Sequence, residues 1–178
     1  FALDQLALAT VVFEGSKTEV NYQQRQLKAL AKKYGALAAG GKNGKGGYNL
    51  TFLIAYIRDF LFNYHIIGDT IETAVPYDKI DTVIRAVENC YHNAYNALNI
   101  KAKPYISYRI PQIYHSGVCI YFMFGIYTEG IASPEDVFAD LENQIRKSIV
   151  ENGGAISHHH GVGKLRKAFM PYTMTESG

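Results

Sequence analysis

Tryptophan is missing from this chain, and only two cysteines, three methionines and five prolines stand among its 178 residues. Cys90 and Cys119 both lie in apolar surroundings. Two such thiols exclude a disulfide scaffold and read as buried and reduced, which suits an intracellular protein. Net charge is scarce as well. Eighteen basic against 16 acidic residues leave +2, too little to imply a nucleic-acid partner. No long apolar run is free of charge either: the stretch Tyr48 to Ile67 carries Arg58 and Asp59 in its middle, and a bilayer core penalises both. The sequon Asn49-Leu50-Thr51 comes with no other mark of secretion.

What is present is ample material for a core. Hydrophobic residues make up 48% and charged residues 19% of the chain, as in ordinary globular domains. The aromatic share rests on 14 tyrosines and 9 phenylalanines. The chain opens at Phe1 without an initiator methionine, and we expect a piece of a longer protein. Residues 1–170 read as one domain, and 171–178 as the start of a truncated C-terminal segment.

The run Leu6 to Phe13 is apolar and β-branched and predicts a buried strand. Ser16 with Glu19 has capping-box spacing for a helix whose apolar face is Val20, Leu27, Leu30, Ala31 and Tyr34, with Gly35 as its stop. Glycine density makes Gly40 to Gly47 a loop. A buried helix is expected over Leu50 to Phe62, then a strand through Ala74. Pro76 opens a helix with Ile80, Val83, Ile84, Val87, Cys90, Tyr91, Ala94 and Leu98 on one face. Two strands, Tyr105 to Tyr114 and Val118 to Tyr127, are separated by hairpin spacing. In the second, Val118, Ile120, Phe122, Phe124 and Ile126 form the core face; Cys119, Tyr121, Met123, Gly125 and Tyr127 form a less bulky one. Ser133-Pro134 starts a last helix, with Val137, Leu141, Ile145 and Ile149 inward, and Asn152-Gly153-Gly154 ends it. The order predicts an α+β fold: an antiparallel sheet with helices packed on one face, the other face left to cover a ligand or partner.

Chemistry concentrates in His158-His159-His160-Gly161-Val162-Gly163-Lys164-Leu165-Arg166-Lys167. Histidine titrates near neutrality and donates or accepts protons, and the glycines allow tight turns. The run fails as a nucleotide loop, because His158 replaces the first glycine and Leu165 the Ser/Thr. Consecutive histidines should diverge, and His65, His92 and His115 complete no cluster, so no metal is expected. Arg58 lies in an apolar segment and calls for a carboxylate or a phosphate. Adjacent helical residues do not face one another, which argues against Asp59 as the partner.

These residues carry a resemblance. Thr51–Asp59 (TFLIAYIRD), Gly117–Phe122 (GVCIYF) and above all Gly153–Lys167 (GGAISHHHGVGKLRK) are similar to the C-terminal half of the alkyldihydroxyacetone-phosphate synthase family, with weaker similarity over most of residues 1–170. Related flavin oxidases such as D-lactate dehydrogenases have Glu-His-Gly where this chain has His159-His160-Gly161. That His159 replaces the Glu favours the synthase over an FAD-dependent 2-hydroxy-acid dehydrogenase. The specific histidine run as a whole disfavours an idle module that binds lipid or a partner.

The resemblance implies the cap, or substrate, domain of an FAD-linked oxidase-type flavoprotein, with the main FAD site outside this chain and the fragment alone inactive. The implied reaction exchanges the acyl group of acyl-dihydroxyacetone phosphate for a long-chain fatty alcohol, without net flavin reduction. By family position Tyr121 moves the proton at substrate C1, Arg58 binds the phosphate, and His158, His159 and His160 line the site. A free tyrosine is about 3 units from neutrality, roughly 4 kcal/mol against the phenolate, a cost that nearby cations would lower. The family further implies a homodimer, peripheral to a membrane and peroxisomal.

Overall fold

A computed structural model describes residues 6–174, without the side chains of residues 54 and 55. The last four residues of the expected C-terminal segment 171–178 lie outside the described residues. The chain divides into two compact units, residues 1–57 and 58–178.

In the first unit Leu6 to Glu14 takes no regular secondary structure, against the expected strand, and Leu8 is 95% exposed. A strand needs a neighbour for its ladder, and among the described residues every strand belongs to the second unit. Helix α1 runs Lys17–Lys33. Its capping box forms as expected: the Ser16 amide donates to Glu19 Oε2 at 2.7 Å and the Glu19 amide to Ser16 Oγ at 3.4 Å. Gly35, at φ 74°, turns the chain out of it. The glycine-rich stretch is a helix rather than a loop: α2, Gly41–Leu50. Only Gly40 at its start takes a left-handed φ, 82°. Glycine tolerates helical dihedrals, at about 1 kcal/mol relative to alanine.

Helix α3, Ile54–Phe62, crosses the division between the units. It was expected to be buried, yet no described side chain of it is, and Tyr56, Ile57, Phe60 and Phe62 are exposed.

The second unit holds a three-stranded antiparallel sheet of β1 (Ile66–Pro76), β2 (Tyr105–Ile113) and β3 (Gly117–Tyr127), with β3 between the other two. Helix α4, Ile80–Ala97, follows a short 3-10 turn after Pro76. Helix α5, Pro134–Glu151, follows β3. Both pack on one sheet face, around Ile71, Val75, Ile120, Phe122, Phe124 and Ile126. From the helices come Val83, Val87 and Tyr91, and Phe138, Leu141, Ile145 and Ile149. The period-2 and period-3.6 stripes read in the sequence meet here, and burial of these side chains drives the packing.

Tyr91 ties the layers together. Its hydroxyl donates to the Gly125 carbonyl at 2.7 Å and accepts from the Tyr105 amide at 2.9 Å, and burial pushes its pKa up to about 12. One irregularity marks the sheet: between Arg109 and Gln112 strand β2 carries an extra residue relative to β3. Pro111 lies there, and proline, lacking an amide proton, fits an edge-strand bulge.

Candidate functional site

The other sheet face carries the chemistry. Register sets Glu72 of β1 opposite Tyr121 of β3, and Arg109 of β2 opposite Tyr121 on its far side. A carboxylate, a phenol and a guanidinium thus form one row across the strands. The Arg109 guanidinium carbon sits 4.8 Å from the centre of the Tyr121 ring, a cation–π contact. Its Nε is buried and has no hydrogen-bond partner among the described residues.

The histidine run reaches this face because of what precedes it. Asn152 ends α5 and Gly153 takes φ 94°. Gly154 then passes so close to β1 and α5 that an added Cβ would stand 2.6 Å from Ile149 Cγ2 and 3.0 Å from Thr73 Oγ1. The Ala155 amide donates to the Ala74 carbonyl at 2.9 Å, and Thr73 Oγ1 donates to the Ala155 carbonyl at 2.7 Å. Docked in this way on β1, the chain delivers Ser157 to His160 onto Glu72.

Glu72 is 0% exposed and is the anchor of the loop. Its carboxylate accepts from Ser157 Oγ at 2.6 Å, from the His158 amide, and from the His160 amide at 3.1 Å. His160 Nδ1 lies 3.4 Å and Arg166 Nη2 4.0 Å from Oε1. Burial raises the Glu72 pKa, but the bonds from Ser157, His158 and His160 outweigh it and hold the group below the ordinary carboxylate value. An ionised carboxylate therefore fixes the backbone of the histidines.

Four of the five side chains singled out in the sequence meet here. Tyr121 Oη lies 2.6 Å from His159 Nε2. The Nδ1 atoms of His158 and His159 are 2.8 Å apart, and His158 Nε2 is 2.9 Å from Tyr114 Oη. The His160 ring stands edge-on to that of Tyr121, with centroids 6.0 Å apart. Burial pushes the Tyr121 pKa up, Cys119 and Glu72 add to this, and Arg109 opposes it. The expected lowering by cations is thus outweighed, and a bare phenolate is disfavoured.

Adjacent histidines were expected to diverge, but His158 and His159 converge, because the backbone is held on Glu72 at both 158 and 160. Cys119, His158 and His159 each offer one ligating atom, all within 4.8 Å of one another. Two imidazole ligands of one tetrahedral zinc would stand about 3.3 Å apart, whereas these nitrogens are in hydrogen-bond contact at 2.8 Å. The arrangement is therefore that of a hydrogen-bonded pair.

Arg58 does not join this cluster through any hydrogen bond among the described residues. It lies on α3, its side chain 52% exposed, with Nε 3.9 Å from Asp59 Oδ1. Adjacent helical residues were expected not to face one another; an exposed, flexible arginine nonetheless curls toward its neighbour in a long contact, at a gain of about 0–1 kcal/mol. Glu72, Arg109 and Tyr114 escaped the sequence reading. The signal available for the first two was a charge flanked by uncharged residues of a strand (Ile71-Glu72-Thr73, Tyr108-Arg109-Ile110), where alternation turns it to the face away from the core.

The family model for FAD linked oxidases, C-terminal domain, matches residues 1–178. Among curated proteins the chain is similar to alkyldihydroxyacetonephosphate synthase of Caenorhabditis elegans, 38% identical over 170 residues, covering 96% of this chain and 28% of that protein. The Dictyostelium discoideum protein of the same name is 29% identical, over 92% of this chain and 26% of that protein. The Trypanosoma brucei brucei protein is 28% identical, over 99% and 28%. The chain thus spans little more than a quarter of the curated relatives it matches. A solved alkyldihydroxyacetonephosphate synthase shares the fold with a TM-score of 0.68 at 23% identity, over 90% of this chain and 29% of that one.

Proposed function

We propose, from the premise that this chain belongs to the family of FAD linked oxidase C-terminal domains, that its parent protein makes the ether bond of alkyl-dihydroxyacetone phosphate. The substrates are acyl-dihydroxyacetone phosphate and a long-chain fatty alcohol, and a fatty acid leaves. One observation carries this reading: the 2.6 Å contact between Tyr121 and His159, at the position where related dehydrogenases place a glutamate. A tyrosine paired with an imidazole can take up and return a proton at a carbon that exchanges substituents.

The site face fits a cofactor's reacting edge. It presents a phenol, imidazoles and the guanidinium of Arg109, whose Nε has no partner among the described residues. The main FAD site we place outside this chain. What bound FAD supplies is displacement chemistry without net electron transfer.

This chain's residues do the rest. Tyr121 takes the proton from substrate C1 and returns it. His159 holds the proton that Tyr121 gives up. Arg109, over the ring, offsets negative charge on the phenol. Glu72 keeps His158 and His160 in place. Arg58, with only the 3.9 Å contact to Asp59 among the described residues, offers its fork to the substrate phosphate. We further propose a homodimer bound peripherally to the peroxisomal membrane. Among the described residues no helix is long and apolar enough to cross a bilayer, and sizing and fractionation of the full-length protein test both points.

The test of the reaction uses the full-length, flavin-loaded protein with palmitoyl-dihydroxyacetone phosphate and hexadecanol, following ether and flavin absorbance together. Ether formed with no lasting flavin reduction is expected. Flavin bleached by a hydroxy acid, with no ether, would mean a dehydrogenase. Tyr121→Phe should abolish turnover at unchanged flavin content, and normal turnover would remove Tyr121 from the chemistry. Arg58→Lys keeps the charge but loses the fork and should raise the KM for the phosphate substrate; an unchanged KM returns Arg58 to the surface.

A further inference from the structure

We propose that Tyr114 is the outward end of a proton relay that starts at the Tyr121 hydroxyl and runs through His159 and His158. The proposal rests on the reading of Tyr121 as the group that exchanges a proton with substrate, and adds where that proton goes.

Four contacts form an unbroken path. Tyr121 Oη to His159 Nε2 is 2.6 Å, and His159 Nδ1 to His158 Nδ1 is 2.8 Å. His158 Nε2 to Tyr114 Oη is 2.9 Å, and Tyr114 Oη to Gln112 Oε1 is 2.9 Å. The far end sets the direction. Gln112 Oε1 is a carbonyl oxygen and only accepts, so the single hydroxyl proton of Tyr114 points at it. Tyr114 Oη must then accept from His158, which places the proton of neutral His158 on Nε2 and leaves its Nδ1 as acceptor. His159 accordingly donates from Nδ1, and its bare Nε2 accepts from Tyr121. With both imidazoles neutral and the Gln112 amide in this orientation, this is the one arrangement that satisfies every contact.

The transfer balances without any co-reactant. The Tyr121 proton passes to His159 Nε2 while the Nδ1 proton of His159 passes to His158 Nδ1. His159 ends neutral in the opposite tautomer, and His158 becomes the imidazolium. The positive charge thus comes to rest one residue beyond the phenolate, against the Tyr114 oxygen, and the reverse shift returns the proton. Tyr121 needs such an acceptor. Around its ring stand Glu72 from β1, Cys119 from β3, Arg109 from β2 and His160 from the loop, and the net effect of burial, Cys119, Glu72 and Arg109 is to hold its proton on.

The path is also rigid, which a relay requires and a chance contact does not. Amides at 158 and 160 are held on Glu72. The Tyr114 amide donates to the Gly117 carbonyl at 2.8 Å, and its carbonyl accepts from Tyr77 Oη at 2.5 Å. Its ring lies 5.5 Å from that of His158 at a 30° tilt. Tyr114 is 45% exposed, so the hydroxyl against which the His158 imidazolium rests stands at the surface of this chain.

The test compares full-length, flavin-loaded protein with its Tyr114→Phe variant, which keeps the ring against His158 and removes the hydroxyl. Ether formation should lose about tenfold or more in kcat, within the range general acid–base groups contribute. The KM for acyl-dihydroxyacetone phosphate should change less than about twofold. The solvent deuterium isotope effect on kcat should change, and added imidazole should restore part of the rate. Unchanged kcat and isotope effect, or a loss confined to KM, overturns the relay. If the unmodified protein makes no ether, the reaction is misassigned, and the path is then judged by itself: ¹⁵N-histidine NMR of that protein should show His158 protonated on Nε2 and His159 on Nδ1. The opposite or mixed tautomers sink the proposal, whatever the reaction.

Discussion

Replacing Glu72 by glutamine turns one of its two acceptor oxygens into a donor facing the Ser157 hydroxyl and the amides of His158 and His160. A buried donor against donors costs about 1–3 kcal/mol. Glu72→Gln should lower the urea midpoint by that order and speed hydrogen exchange at the amides of residues 158 and 160; unchanged exchange would mean that the loop holds itself. Period-2 alternation in the sequence turns Tyr121 away from the core, but only the family resemblance singled it out among 14 tyrosines. The roles of Glu72, Arg109 and Tyr114 were not, because each depends on a partner fixed by strand register or by the return of the chain after α5. Glu72 and Tyr121, 49 positions apart in sequence, meet only once β1 and β3 pair.

Helices α4 and α5 and the hairpin β2–β3 fall where their periodicity puts them, since each stripe finds the core that its pattern requires. The N-terminal run and the glycine-rich stretch do not. An apolar β-branched run becomes a strand only beside another strand, and glycine content reports what a backbone can do rather than what it does. Two substitutions separate glycines that the backbone needs from those it tolerates. At Gly46, within α2, an added Cβ meets nothing within 4 Å, and Gly46→Ala should stabilise by about 0.5–1 kcal/mol. At Gly154 the same methyl meets Ile149 and Thr73, and Gly154→Ala should cost about 1–3 kcal/mol through overpacking and weaken the docking of residues 155–160. Thermal denaturation of the two variants checks both, and equal shifts would contradict the distinction.

Across the second unit, the depressed Glu72 pKa couples the site to pH. The folded value lies below the ordinary 4.5, so this carboxylate's stabilisation is complete above that pH and fades as pH falls through the folded value. Protection of the His158 and His160 amides should therefore persist down to about the ordinary carboxylate range and disappear below it; in Glu72→Gln it should be low and independent of pH. Loss of protection near neutrality would point to the histidines instead. The bulge at Ile110–Pro111 also reaches the site. A strand is read in alternating frames, in and out, and one inserted residue shifts the frame. Without it, Arg109 would be followed on the site face by Pro111 and Ile113, whose side chains have nothing to offer a proton. With it, Gln112 and Tyr114 come round to that face. Were the strand regular at its full length, those two letters would stay in the sequence and both would turn away from the histidines.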